Sequence, residues 1–377
     1  MNILILEPYL TGSHKAWAEG YQKYSRHRVE ILSLSGHFWK WRMHGGAVTL
    51  VKKYVASEFK PDVLLATDML DLSTFLALTR EHTTHLPTAL YFHENQLSYP
   101  WSPEDRDVQQ KRDKHYGFIN YVSALCADAV FFNSFYHQNS FLSALKPFLK
   151  HFPDHNDMEN VEKIKQKSQV LPLGLDLRRF DRFQPFRKTE TVDRAPLILW
   201  NHRWEYDKNP GDFFRALIAL AEKGLSFKVA ILGERFSEKP AVFTEAREKL
   251  SDRIVQFGYV ENFRDYATWL WESDILPVTC RQDFFGASVV EALYCGCFPI
   301  LPKRLAYPEI VPEDRQSAHF YTDFEDLTSG LENALFHVQA LREKSMRGVV
   351  KKYDWQVQSP KYDRQFEDIT RISTRCR

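Results

Sequence analysis

Residues 277–302 read PVTCRQDFFGASVVEALYCGCFPILP, and this stretch decides the fold. A short apolar strand, Asp274 to Cys280, runs into the polar turn RQDFFGAS. A helical segment follows, ASVVEALYCG, which stops at Gly296 before a second apolar strand, CFPIL. Strand, single-glycine turn and helix form a corner that binds anions. The first amides of the helix lack a partner within it, and the helix dipole favours negative charge there. Asp283 lies at the mouth of the turn, and Glu291 follows eight residues later on the helix. Glu291 is rather more than one helical turn past Gly286. It is therefore within reach of a sugar hydroxyl of a nucleotide whose phosphates rest on the amides of Ala287, Ser288 and Val289. Such corners and such acidic spacings also occur on ordinary solvated faces, so the stretch gains meaning from the rest of the chain.

Working outward, the same alternation fills the second half: PLILWNHR, a helix at PGDFFRALIALAEKG, FKVAILGE, a helix, IVQFGYV, and a helix at FRDYATWLWESD. Upstream, Arg178–Ala195 is polar and patternless and reads as a linker. The first half alternates too, through NILILEP, RVEILSLS, DVLLATD, TALYF, ADAVFFNS and QVLPLGLDL. Apolar strands alternating with helical segments predict parallel sheets with helices on both faces. The boundaries expected are a first Rossmann-like domain over 1–180, a second over 195–350, and a final helical stretch over 351–377. Two consecutive α/β domains of this kind are expected to face each other across a cleft, with ligands outside the carboxyl ends of the strands.

Composition sets limits. The chain has 377 residues, 44% hydrophobic and 26% charged, with a net charge of +1. Two globular domains fit that length, and no bulk charge signals nucleic acid, although a local basic patch remains compatible. The five cysteines show no CxxC pairing, and Cys295 and Cys297 bracket a glycine as small buried residues. No apolar run approaches the length of a membrane span. Asn2–Pro8 reads as a first strand with no basic segment before it, rather than as a leader. A cytoplasmic protein without a membrane partner is expected.

Polar residues cluster where the strands end. Arg203 and Lys208 follow PLILWN in a loop before a helix, and two cations there suit a diphosphate, Arg as a fork and Lys as a point charge. His93, Glu94, Asn95 and Gln96 follow TALYF directly, and four consecutive polar residues after a buried strand are not core. Gly12 and Ser13 form a second strand–glycine–helix corner, without the GxGxxG spacing of a dinucleotide site. The triplet Asp105-Arg106-Asp107 imitates a metal-binding motif but sits in PEDRDVQQKRDK, which reads as an exposed helix. His151 and His155 are separated by Pro153, which prevents a shared helical face.

These motifs resemble a known family. Asp283-Phe284-Phe285-Gly286 through Glu291, the loop NHRWEYDKNP, and YPEIV at 307–311 are similar to retaining GT-B glycosyltransferases that use nucleotide sugars. Here Asp283 replaces the commoner first Glu. The tail around Trp355 resembles the helix that crosses back to the first domain. In the first half, GSHK at 12–15, WKWRMHG at 39–45, YFHENQLSYP at 91–100, Tyr116-Gly117 and FPDH at 152–155 resemble the tRNA-queuosine mannosyltransferases. That resemblance spans nearly the full length.

The resemblance implies mannose transfer from GDP-mannose to the cyclopentenediol of queuosine in tRNA, with retention and without a metal or other cofactor. It implies catalytic roles for Arg203, Lys208, Asp283 and His93. Gly12, Ser13, Phe285, Gly286, Ala287, Ser288, Val289 and Glu291 would bind the donor. His14, Lys40, Arg42, Glu94, Asn95 and Gln96 would serve the acceptor, with Arg112 and Lys114 as further RNA contacts. Three other readings stay open at this point: a GT-B enzyme with a lipid, polysaccharide or small-molecule acceptor, a nucleotide-sugar epimerase of similar architecture that acts on the donor without an acceptor, and a non-catalytic tRNA-binding protein.

Overall fold

The computed structural model describes residues 1–102, 105–110, 114–185, 194–233 and 241–375, with side chains to 371. The chain divides into two compact units, Met1–Asp176 with Trp355–Arg377, and Leu177–Asp354.

The first unit holds six strands: β1 (Asn2–Leu10), β2 (Arg28–Ser35), β3 (Val63–Thr67), β4 (Thr88–Phe92), β5 (Ala129–Phe132) and β6 (Ser168–Val170). All pairings are parallel, in the order β2-β1-β3-β4-β5-β6. Every residue of β3, β4 and β5 is buried. Helices on both faces require uninterrupted apolar runs such as VLLAT and TALYF rather than alternation. The order reverses between β1 and β3, so the residues after these strands, Thr11–Ser13 and Asp68, flank the crevice where such sheets bind ligands.

The last helix, Trp355–Arg375, belongs to this unit. Its Tyr362 hydroxyl accepts from Trp17 Nε1 at 3.1 Å and donates to the Pro172 carbonyl at 3.0 Å. Asp363 accepts from the Tyr21 hydroxyl at 2.9 Å. Trp355 fits only because Gly20 and Gly174 carry no side chain: a Cβ at either would fall 2.0 or 2.2 Å from the indole.

The second unit holds β7 (Leu197–Trp200), β8 (Lys228–Ile231), β9 (Ile254–Phe257), β10 (Ile275–Pro277), β11 (Phe298–Pro302) and β12 (Phe320–Tyr321). They are parallel in the order β12-β11-β10-β7-β8-β9. Here the order reverses between β7 and β10. The loop carrying Arg203 and Lys208 and the turn carrying Asp283 and Gly286 follow those two strands. The two motifs that are 80 residues apart, Arg203 to Asp283, thus flank one crevice because of strand order.

One expectation needs correction and another needs adding to. The described part of the stretch read as a linker is structured. Leu177–Phe183 forms a 3-10 helix, Phe180 is fully buried 4.8 Å from Phe263, and its carbonyl accepts from Trp271 Nε1 at 2.9 Å. Phe180 and Phe183 share the three-residue spacing of a 3-10 turn, a signal masked by the charges between them. Residues 186–193 lie outside the described residues. The triplet at 105–107 does lie on a short helix, Arg106–Gln109, with no buried residue, but its acids are not free: Asp105 caps the helix, and both carboxylates receive the Lys40 ammonium, Asp105 at 2.6 Å.

Candidate active site

In the second unit, the loop after β7 is pinned by indoles. Trp200 Nε1 donates to the His202 carbonyl and Trp204 Nε1 to the Leu232 carbonyl, both at 2.9 Å. Gly233 (φ +106) lies beneath, where a Cβ would fall 2.0 Å from the His202 oxygen. This leaves the half-exposed Arg203 beside Glu205, at 3.1 Å. Lys208 is mostly covered. Its ammonium donates to the Gln282 carbonyl at 2.9 Å and lies 3.1 Å from Asp207. The Thr279 hydroxyl donates to the carbonyls of Lys208 and Asn209 at 3.0 and 2.9 Å. The two loops are stitched together, and Lys208 is the charged stitch.

The turn itself is braced by Asp283. Its Oδ1 accepts from the amides of Gly286 and Phe285 at 2.9 and 3.3 Å, and its Oδ2 from the Tyr307 hydroxyl at 3.1 Å. Gly286 takes φ +92, and a Cβ there would meet the Tyr307 ring at 3.2 Å. The helix Ala287–Tyr294 starts directly after it, so the amides of Ala287, Ser288 and Val289 form its unpaired first turn. The Phe285 ring is buried against Tyr353, which leaves only its backbone at the turn. Ser288 Oγ lies 3.2 Å from His202 Nδ1. Burial, with the Lys208 charge, pushes His202 down to about 4, so this imidazole is neutral. His202 Nε2 and Gln282 Nε2 are buried with no hydrogen-bond partner among the described residues. Buried polar atoms are rarely left so. Glu291 accepts from the Tyr266 hydroxyl at 2.8 Å and has Arg179 at 3.6 Å. Burial raises its pKa.

In the first unit, Gly12 (φ +48) turns the chain from β1 into the helix Gly12–Tyr24, with Ser13 in its first turn. His14 points back to Glu7, Nδ1 to Oε2 at 3.0 Å, and both are buried. Burial opposes its charge, but Glu7, with smaller help from Asp68 and Glu94, outweighs it and raises His14 to about 9. His14 is therefore an imidazolium at neutral pH. His93 lies against it, ring centroids 4.1 Å apart, with Trp17 edge-on at 4.7 Å. Burial and the neighbouring charge push His93 well below its ordinary value. Both its ring nitrogens are buried without a partner among the described residues. Its backbone amide donates to Asp68 at 2.8 Å, and burial pushes that carboxyl up to about 8.

Not every residue after β4 faces a ligand. Asn95 is fully buried, and its Oδ1 accepts from the amides of Leu97 and Ser98 at 3.2 and 3.0 Å, which fixes the turn. Gln96 donates to Glu94 at 2.8 Å. Gly117 makes room for this loop, because a Cβ there would fall 2.6 Å from Leu97. Lys40 is committed to Asp105 and Asp107, and Arg42 donates to the Ser35 carbonyl at 3.1 Å. Lys114 begins the helix Lys114–Cys126, and Arg112 lies outside the described residues.

Sequence reasoning missed Glu7, Asp68, His202 and Tyr307. A signal existed for two of them: Glu7 is a lone acid in the apolar run NILILEP, and Asp68 ends VLLATD. Glu7, His14 and His93 each offer a ligand atom within 4.8 Å of the others, a donor set that could hold a divalent metal only if His14 gave up its proton.

Comparison with known proteins identifies the family and the fold. The family model for the tRNA-queuosine alpha-mannosyltransferase N-terminal domain matches residues 2–175, and that for glycosyl transferases group 1 matches residues 181–336. A tRNA-queuosine alpha-mannosyltransferase of Drosophila melanogaster is 37% identical over 337 residues, 88% of this chain and 86% of that protein. Among solved structures, Anabaena HepE in complex with UDP and glucose aligns with a TM-score of 0.66 at 14% identity, over 98% of this chain and 100% of that one. Sucrose-phosphate synthase of Thermosynechococcus elongatus aligns with a TM-score of 0.70 at 12% identity, over 99% and 100%. At such identities these structures establish the fold, GT-B, as the sequence predicted.

Proposed function

Because this chain belongs to the tRNA-queuosine alpha-mannosyltransferases, we propose that it moves mannose from GDP-mannose to the cyclopentenediol of queuosine in tRNA, with retention of configuration. The observation that carries the chemistry is the stitch at the reversal point of the second sheet. Lys208, tied to the Gln282 carbonyl at 2.9 Å, sits beside the turn whose Gly286 opens a helix N-terminus. A donor diphosphate placed there meets a fixed ammonium, the Arg203 guanidinium and the amides of Ala287–Val289.

In a front-face retaining transfer, the acceptor hydroxyl attacks from the side the diphosphate leaves. No base on the opposite face is required, and the load falls on stabilising the departing charge. Groups already aimed at that charge do this without reorganising. Asp283 keeps the turn in shape and, with Oδ2, borders the donor sugar. Glu291 holds the ribose. His93, neutral and with both nitrogens available, offers one donor and one acceptor to a hydroxyl of the donor sugar or the acceptor. Arg203 and Lys208 neutralise the diphosphate, so the reaction proceeds without a metal. On this reading the enzyme works in the cytoplasm, with queuosine-containing tRNA as its partner.

The test compares queuosine-containing tRNA with the same tRNA carrying unmodified guanine, using GDP-mannose and mass spectrometry of the nucleosides. A site built to hydrogen-bond the diol rejects the nucleoside lacking it by on the order of 10⁴. Equal transfer to both would exclude the queuosine acceptor.

A further inference from the structure

The helix Trp39–Val55 begins with three aromatic residues in four, Phe38, Trp39 and Trp41, and the structure treats them differently. Trp39 turns inward, 5.1 Å from the Tyr116 ring and 6.1 Å from that of Trp101. Phe38 and Trp41 remain 78% and 63% exposed. Phe38 takes φ +57, the left-handed region that bulky residues avoid.

Trp41 is exposed yet held. Gly45 lies one helical turn on, and a Cβ there would fall 2.6 Å from the indole. The ring therefore lies down on the bare backbone of Gly45, with one face covered by the helix and the other open. Any other residue at 45 would lift it. Gly46 has a separate reason for being glycine, since a Cβ there would meet Pro8 at 3.0 Å. The helix thus presents a flat, preset aromatic shelf at the carboxyl end of β2, on the same edge of the sheet as Gly12, Asp68 and His93.

Positive charge lies beside it. Arg42 and Lys53, with Ser33, Ser35 and Thr49, line a recess of about 400 Å³. Arg42 and Lys53 are turned to the carbonyls of Ser35 and Ser33, at 3.1 and 2.9 Å. An open π-face next to cations is how proteins hold unpaired bases: the bases stack on the rings, and the backbone follows the charge. We propose that Trp41 and Phe38 stack unpaired bases of the tRNA anticodon loop that flank the modified nucleoside, with Arg42 and Lys53 along the adjoining phosphates. The inference rests on the tRNA reading above and names the surface that reading leaves unassigned.

The experiment measures binding of a fluorescent anticodon stem–loop RNA to the full chain, alongside GDP-mannose binding. Each stacked base is worth on the order of five- to a hundredfold in affinity. W41A should weaken RNA binding by roughly tenfold and F38A/W41A by up to about a hundredfold, with donor affinity within about twofold of wild type. W41F should restore binding within a few fold, whereas W41L, equally apolar but without a π-face, should not. RNA affinity unchanged in the double variant, or W41L binding like wild type, overturns the proposal. A loss of self-association in W41A without a loss of RNA binding overturns it too, by assigning the shelf to a second copy. Wild-type protein that binds no stem–loop at all defeats the tRNA reading itself, which is a different outcome from variants that bind as wild type does.

Discussion

Asp283 accepts the amide of Gly286 at 2.9 Å while its other oxygen takes the Tyr307 hydroxyl at 3.1 Å. The carboxylate that we propose borders the donor sugar is therefore also the brace of its own turn. Asp283→Asn keeps an acceptor for the Gly286 amide and should fold like wild type. Asp283→Ala should lower both the denaturation midpoint and turnover. Gly286→Ala forces φ +92 on a residue with a Cβ, and such strain costs on the order of 1–3 kcal/mol. Urea melts of the three variants check the order, and a stable Gly286→Ala would refute the strain argument.

Arg203 and Lys208 differ in their surroundings, and the difference is measurable. Removing a group that stabilises transition-state charge costs roughly 10²–10³ in rate. Arg203→Ala should show this as lost turnover in a protein of unchanged stability, since the side chain is half exposed. Lys208→Ala should lose turnover and also some stability, because the Gln282 carbonyl loses its donor. Single-turnover rates at saturating GDP-mannose, with thermal melts, separate the two. Wild-type turnover in either variant removes that residue from the mechanism.

The Glu7–His14 pair makes stability depend on pH. His14 is raised above its unfolded value of 6.5 to about 9. Its contribution is complete below about pH 6.5 and disappears as pH rises through 9. Asp68, held up at about 8 from 3.8, also binds its proton more tightly when folded. Its effect has the same sign, since stability falls as pH rises from 3.8 towards 8. Between pH 6.5 and 9 the slope from His14 is at most about 1.4 kcal/mol per pH unit. Denaturation midpoints at pH 6.5, 7.5 and 9 should fall for wild type and fall less for His14→Gln. Parallel curves would show that His14 carries no extra proton in the fold.

Excess chelator should leave turnover unchanged, because cationic side chains and amides surround the donor diphosphate in the reading above. The donor set Glu7, His14 and His93 makes this a sharp test. Loss of activity in EDTA, restored by Mg²⁺, Mn²⁺ or Zn²⁺, would assign a metal to that cluster.

The sequence by itself determined the elements and the turn. Apolar runs of four or five residues bounded by polar loops are local signals, and so is a glycine between a strand and a helix. Gly286 was readable because only a residue without a Cβ takes φ +92 beside Tyr307. The i, i+4 spacing of Trp41 and Gly45 is local as well. What only the tertiary structure decided is which distant residues share a crevice. Strand order brings the loop after β7 to the turn after β10, and no local pattern encodes that order. Lys40 meets Asp105 and Asp107 across 65 and 67 residues, so a lysine expected at the acceptor is in fact paired within the fold. Phe180 is buried although its neighbours are charged, because Phe263 and Trp271 arrive from another helix. Glu7 lies in β1, and Asp68 and His93 directly follow β3 and β4, three strands that become adjacent only in the folded sheet. Their protonation follows from burial and mutual charge, which are properties of the assembled unit rather than of any segment.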